Sequence, residues 1–174
     1  SFSTVDQQDY SYLAKMSIDT SAPILSNISP IKSSVINNIN QTITFNTDEN
    51  ATCRLSLIDE SYDAMADNVS CGGTDTTSHS CITPDLGADG TKNLYVACVD
   101  EGNNKDSIAT NEDLTYTLDT TPPVISYIYP IPGITIYDRT PRITFRTDEN
   151  AYCRLSLYDE SYADMANNVS CEED

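Results

Sequence analysis

Apolar and polar residues alternate with a period of two in several short runs of this chain. In 41–47, Ile43 and Phe45 alternate with Thr42, Thr44 and Asn46. In 51–57, Cys53, Leu55 and Leu57 share one face, and Arg54 and Ser56 take the other. Leu94, Val96 and Cys98 alternate with Tyr95 and Ala97, and Leu114, Tyr116 and Leu118 share a face in 113–118. This pattern predicts half-buried antiparallel strands. Turn-forming residues separate the runs: Asp48-Glu49-Asn50, Gly87 to Gly90, and Glu101-Gly102-Asn103-Asn104. Only Asp59 to Asn68 reads as helical, one or two turns capped by Ser61.

The strand pattern repeats. TDENATCRLSLIDESYDAMADNVSC (47–71) recurs as TDENAYCRLSLYDESYADMANNVSC (147–171), with 20 of 25 positions identical at an offset of 100. The same offset aligns Asp19-Thr20-Ser21-Ala22-Pro23 with Asp119-Thr120-Thr121-Pro122-Pro123. A period this long suits whole small domains in tandem rather than a solenoid. Several short strands per repeat, with no long helical period, predict a β-sandwich with Greek-key connections.

The Asp119-Thr120-Thr121-Pro122-Pro123 junction resembles bacterial and archaeal immunoglobulin-like repeats. So do the Cys53-Arg54-Leu55-Ser56 strand and the strand and turn from Tyr95 to Asn103. Such repeats are found in extracellular surface proteins and in donor-strand-linked filaments, and the likeness spans nearly all of 19–171. It implies an all-β chain of tandem immunoglobulin-like β-sandwiches, the second incomplete, with an N-terminal donor-type strand. The expected divisions are 1–19 (extended segment), 20–119 (complete domain) and 120–174 (incomplete domain).

The two ends differ from the middle. Repeat 2 carries counterparts of the first strands and the helix-like turn, and it has no match to the part of repeat 1 beyond Cys71. Residues 11–19 align with 111–119, so Ala14, Met16 and Ile18 fall opposite Leu114, Tyr116 and Leu118. The expectation is that these three residues belong to a donor strand that completes the sandwich of the next copy. Such a contact is heterologous and builds an open filament, head to tail. Repeat 1 has 49 residues from Gly72 to Thr120 and the N-terminal segment supplies 20, which leaves 29 without a source.

Composition narrows the setting. The chain has 27 acidic and 9 basic side chains, a formal charge of −18, and no Lys/Arg cluster, which excludes nucleic acid as a partner. No run of about 18 apolar residues occurs, so no membrane insertion is expected. A chain opening at Ser1 is what a processed mature protein would show. Six Cys, one His and no CxxC spacing favour disulfides, hence an extracellular or cell-surface location. Cys53, Cys71, Cys81 and Cys98 allow three connectivities. Cys53–Cys98 with Cys71–Cys81 is favoured, because Cys53 and Cys98 face inward on strands that neighbour each other in immunoglobulin-like sheets. Cys53–Cys71 with Cys81–Cys98 is the alternative, since Cys153 and Cys171 of repeat 2 would then pair together. Sequons place glycosylation at Asn27, Asn40, Asn50, Asn68 and Asn168.

Candidate chemistry is sparse. Asp48, Glu49, Asn50, Asp100, Glu101 and Asp119 offer the oxygens that Ca²⁺ takes, without any defined ligand spacing. Solvated turns are the expectation, with Ca²⁺ an optional cofactor and no other metal. His79, between Ser78 and Ser80, is expected in an exposed loop, and Asp59-Glu60 recurs as Asp159-Glu160, so no catalytic residue and no enzyme are expected. Tyr127, Tyr129, Tyr137, Tyr152 and Tyr158 concentrate in repeat 2 and make a glycan-binding stalk or adhesin the alternative to a filament subunit.

Overall fold

A computed structural model of the chain describes residues 18–67, 69–167 and 169–171. The fold is all-β: among the described residues the only helical pieces are two 3-10 turns, Ala64–Asp67 and Asp164–Asn167. Among the described residues no helix is long and apolar enough to cross a membrane. The chain divides into two compact units, with the boundary between Thr120 and Thr121.

The first unit holds β1 (Leu25–Ser29), β2 (Val35–Ile36), β3 (Thr42–Ser56), β4 (Val69–Ser70), β5 (Thr76–Ile82), β6 (Gly90–Asp100) and β7 (Glu112–Leu118). The order is β1-β3-β6-β7-β2, with β4 and β5 also paired to β3, and β2 runs parallel to β7. The 15-residue β3 organises the unit. Its first half pairs with β1 and β5; its second half, from Ala51, pairs with β6, and with β4 at Arg54 and Leu55. A register shift in the β3–β5 ladder between Asn46 and Ala51 marks the exchange of partners. Bulged, bent strands of this kind pass from one layer to another. Asp48-Glu49-Asn50, expected as a turn, therefore lies within β3. Its polar residues are tolerated because Asp48 and Asn50 face solvent, while the odd-numbered positions keep one inward face from Ile43 to Leu55.

That inward face meets Leu94, Val96, Leu114, Tyr116 and Leu118 in one core with Ile36, Leu86 and the four cystine sulfurs. Each fully buried large side chain contributes roughly 1.5–3 kcal/mol. The Tyr116 hydroxyl donates to the Pro30 carbonyl at 2.9 Å, so the core's largest ring leaves no polar atom stranded. The opposite face of β6 is covered too. Ala97 packs with Tyr62 and Met65 of the 61–67 turn, and Arg54 lies 4.1 Å over the Tyr62 ring while donating to its carbonyl. Leu57, expected inside, is 43% exposed because β3 ends at Ser56.

Two cystines close the first unit: Cys53–Cys98 and Cys71–Cys81. Cys53 and Cys98 are register partners on β3 and β6. Gly73 makes the approach to β5 passable, at φ +92° and with the Ser78 carbonyl where a Cβ would stand. The alternation pattern predicts no strand at 76–82, and β5 corrects this. His79 is not in an exposed loop; it is 3% exposed and stacked on Phe45 at 5.1 Å. Ser and Thr on its flanks face solvent, and only His79 and Cys81 point inward, so the run carries too little apolar signal to be seen.

The second unit holds β8 (Ile125–Tyr129), β9 (Thr144–Thr147), β10 (Arg154–Leu155) and β11 (Val169–Ser170). β8 pairs with β9 and β10 with β11, in the registers of β1–β3 and β3–β4 shifted by 100 residues. No described strand corresponds to β5, β6 or β7. The counterpart of β3 accordingly survives only as its two locally paired ends.

Candidate functional site

Local contacts of the second unit copy those of the first. Asp48 accepts the Ile24 N–H at 2.8 Å, and Asp148 accepts the Val124 N–H at 2.7 Å. Arg154 lies 4.2 Å over Tyr162 and donates to its carbonyl, as Arg54 does to Tyr62. The Cys171 N–H donates to the Cys153 carbonyl at 3.0 Å, matching Cys71 and Cys53 at 3.1 Å. These matches hold because every partner lies within one repeat. Asp48 and Asp148 thus serve the backbone, a role their acidic setting in the sequence does not announce.

Burial differs sharply. Ile43 is 0% exposed and Ile143 40%; Leu55 is 0% and Leu155 40%; Tyr62 is 7% and Tyr162 51%. The side chains that form the core of the first unit line an open cleft in the second, with Ile143, Phe145, Cys153, Leu155 and Cys171 on its walls. Polar residues, among them Thr144, Arg146 and Asn150, share the lining with these apolar and thiol side chains.

Cys153 and Cys171, expected in cystines, are free thiols. The reason is topological: their counterparts bond to Cys98 on β6 and Cys81 on β5, and the described second unit has neither strand. Burial pushes the Cys171 thiol up from its ordinary value, and neighbouring Cys153 adds to the shift.

Of the donor-strand residues, Ala14 and Met16 lie outside the described residues, and Ile18 is 81% exposed. Among the sequons, Asn27, Asn40 and Asn50 are exposed, while Asn68 and Asn168 lie outside the described residues. Asn40 also donates weakly to the Thr83 carbonyl, at 3.4 Å.

The acidic residues converge in part. Asp19, Glu49 and Asp100 bring carboxylate oxygens within 4.8 Å of one another. Burial first, and then Asp19, Asp100 and Asp48, raise the Glu49 carboxyl above its usual range. Asp100 is already engaged by the Asn104 side chain and backbone N–H, both at 2.7 Å. Three carboxylates bound through one oxygen each would supply half or fewer of the six to eight oxygens that Ca²⁺ takes.

His79 is placed as a core residue. Its Nε2 sits 3.0 Å from the Thr47 hydroxyl, and its Nδ1 has no hydrogen-bond partner. Burial lowers its pKa, and backbone groups of Thr76, Gly72 and Gly73 offset this in part. The Thr47 hydroxyl beside the ring is itself buried and donates to the Glu49 carbonyl at 2.7 Å, and among the described residues no carboxylate is hydrogen-bonded to the ring to orient it as a catalytic base.

The tyrosines noted in repeat 2 are all exposed: Tyr127, Tyr129, Tyr137, Tyr152 and Tyr158. Their counterparts are Asn27, Ser29, Asn37, Thr52 and Ile58, none of them buried. These rings therefore do not replace core residues. Tyr127 takes φ 51°, as Asn27 does, and Arg146 lies 5.5 Å over its ring. Asn is favoured in that left-handed region and a bulky ring is uncommon there. Compared with known proteins, the chain matches no protein-family model, no curated protein and no solved structure.

Proposed function

We propose that the chain is a structural, non-enzymatic subunit of an extracellular filament or pilus, joined head to tail to other copies by β-strand donation. The uncovered core of the second unit carries this reading. Residues that are fully buried in the first unit, such as Ile43 and Leu55, recur in the second at 40% exposure, and exposed strand edges recruit further strands. The alternation of Ala14, Met16 and Ile18 supports it further. Their counterparts Leu114, Tyr116 and Leu118 are all buried on β7. Two cystines are compatible with an oxidising compartment.

Negative-stain microscopy and size-exclusion chromatography of protein purified from its natural source test the reading. Filaments or high-mass oligomers are expected, and deletion of residues 1–18 is expected to abolish them. Oligomers that persist unchanged after the deletion rule out the donor strand.

A second reading, a stalk or adhesin module that binds glycans, is favoured by one observation. Tyrosines occupy non-core positions of the second unit where the first has none, including the left-handed position of Tyr127. Strained positions held by bulky residues point to use rather than to stability. A glycan-binding assay on the intact chain tests this: loss of binding on Tyr127→Asn supports it, and no binding to any glycan rejects it.

A further inference from the structure

We propose that the open face of the second unit seats a strand pair of the β5–β6 type, and that two cysteines on that pair form cystines with Cys153 and Cys171. The inference rests on the assembly reading only for the neighbour that presents the last, β7-type strand.

The first unit shows what covers these residues. Its β3 is flanked by β5 and β6, not by β7, which pairs with β6 and with two residues of β2. A donor strand of the 11–19 type therefore has its full ladder on the second unit only once a β6-type strand is in place, and without one it has at most the two-residue ladder of the β2 type.

The cysteines fix the register. Cys153 and Cys171 hold the same backbone relation as Cys53 and Cys71, whose sulfurs bond to β6 and β5 rather than to each other. The occupant must therefore carry one cysteine opposite each thiol, spaced as Cys81 and Cys98 are. Residues 1–20 contain no cysteine, so the donor segment cannot supply them. The occupant must also alternate as Leu94, Val96 and Cys98 do, to meet Phe145 and Leu155. In forming each cystine, two thiols give up two protons and two electrons. A small disulfide of the glutathione type accepts them and leaves as two thiols.

The test extends the full chain so that a copy of Gly72–Asp100 follows Cys171, with Lys92→Arg in the copy to mark its peptides. The chain is oxidised in a glutathione buffer and mapped without reduction. Cys153 is expected to bond to the copy of Cys98, and Cys171 to the copy of Cys81, so that the two free thiols fall to none. Closure of Cys153 on Cys171, or of the appended cysteines on each other, overturns the proposal. A second variant with Ser at these four cysteines separates seating from oxidation. Amide exchange at residues 143–156 is expected to slow at least tenfold over the unextended chain, and unchanged exchange overturns the seating. Deleting residues 1–18 from the extended chain distinguishes the two readings. Cystines without polymers, even when residues 1–18 are present, leave this proposal standing and remove strand donation. Residue-1–18-dependent polymers without the cystines do the reverse.

Discussion

Leu55→Ala and Leu155→Ala make the same chemical change at equivalent positions of two nearly identical sequences. Leu55 is fully buried in the core that also holds Ile43, its register partner Val96 and the Cys53–Cys98 cystine, whereas Leu155 is 40% exposed. Removing a core leucine costs about 2–5 kcal/mol, from lost transfer energy and the cavity that remains. At zero exposure and among close neighbours, about 3 kcal/mol is the expected cost for Leu55. For a domain of 60–100 residues this lowers the melting midpoint by roughly 12–24 °C. Leu155 already meets solvent on one side, and no β6-type strand lies over it to leave a cavity. Its truncation is expected to cost under about 1 kcal/mol, a fraction of the transfer energy alone.

Residue-resolved denaturation by NMR reads each unit separately, through the amides of Val96 in the first and Arg154 in the second. The expected result is a large loss at Val96 for Leu55→Ala and a small one at Arg154 for Leu155→Ala. Equal losses in the two units would falsify the claim that burial, rather than local sequence, separates them. In the chain extended by Gly72–Asp100 the cost of Leu155→Ala is expected to rise toward that of Leu55→Ala.

Removing both cysteines of one bridge tests the chain-entropy account. Cys53–Cys98 spans 45 residues and Cys71–Cys81 spans 10, which gives losses of about 4 and about 2.7 kcal/mol by denaturant unfolding; the reverse order would contradict it. His79 makes the first unit acid-sensitive. Its folded pKa lies below the ordinary 6.5, so the unfolded chain binds the proton first, and stability present above about pH 6.5 falls as pH drops toward the folded pKa. His79→Gln is expected to flatten that part of the pH–stability curve, and an unchanged slope counts against the assignment. Tyr116→Phe removes the hydrogen bond to the Pro30 carbonyl, and a loss of about 1 kcal/mol in unfolding free energy is expected; no loss would mean that water replaces the hydroxyl.

The strands with clean alternation, such as the β3 runs around Phe45 and Leu55 and the run from Leu114 to Leu118, are legible in the sequence because each buries one face. β5 is not, since its ladder to β3 is held by backbone bonds and only His79 and Cys81 turn inward. The acidic stretch 48–50 reads as a turn for a related reason. Its side chains face outward while the backbone continues extended, and Asp48 spends its carboxylate on the Ile24 N–H. The state of Cys153 and Cys171 is beyond local reading altogether. Thiol or cystine is decided by which strand lies opposite, and that is a non-local property.

The two repeats separate local from non-local contributions within one molecule. What each repeat makes from residues 20–71, or 120–171, persists in both: the aspartate cap on the entering strand, the arginine over the tyrosine, the short β-ladder that places two cysteines side by side. What depends on later strands, namely core burial, the continuous central strand and the cystines, is present only in the first. On the proposed reading the second unit is thus an acceptor whose local contacts are already those of the first, complete unit. Preorganisation of these local contacts lowers the entropy cost of association, and the ordering that remains in the second unit is that of residues 148–153, which are strand only in the first unit's counterpart. The remaining cost falls on the incoming strands, and the apolar surface they bury, from Ile143 to Leu155, is what offsets it. On that reading, repulsion between chains of charge −18 keeps subunits apart, and they join only where strand register, apolar pattern and cysteine spacing all agree.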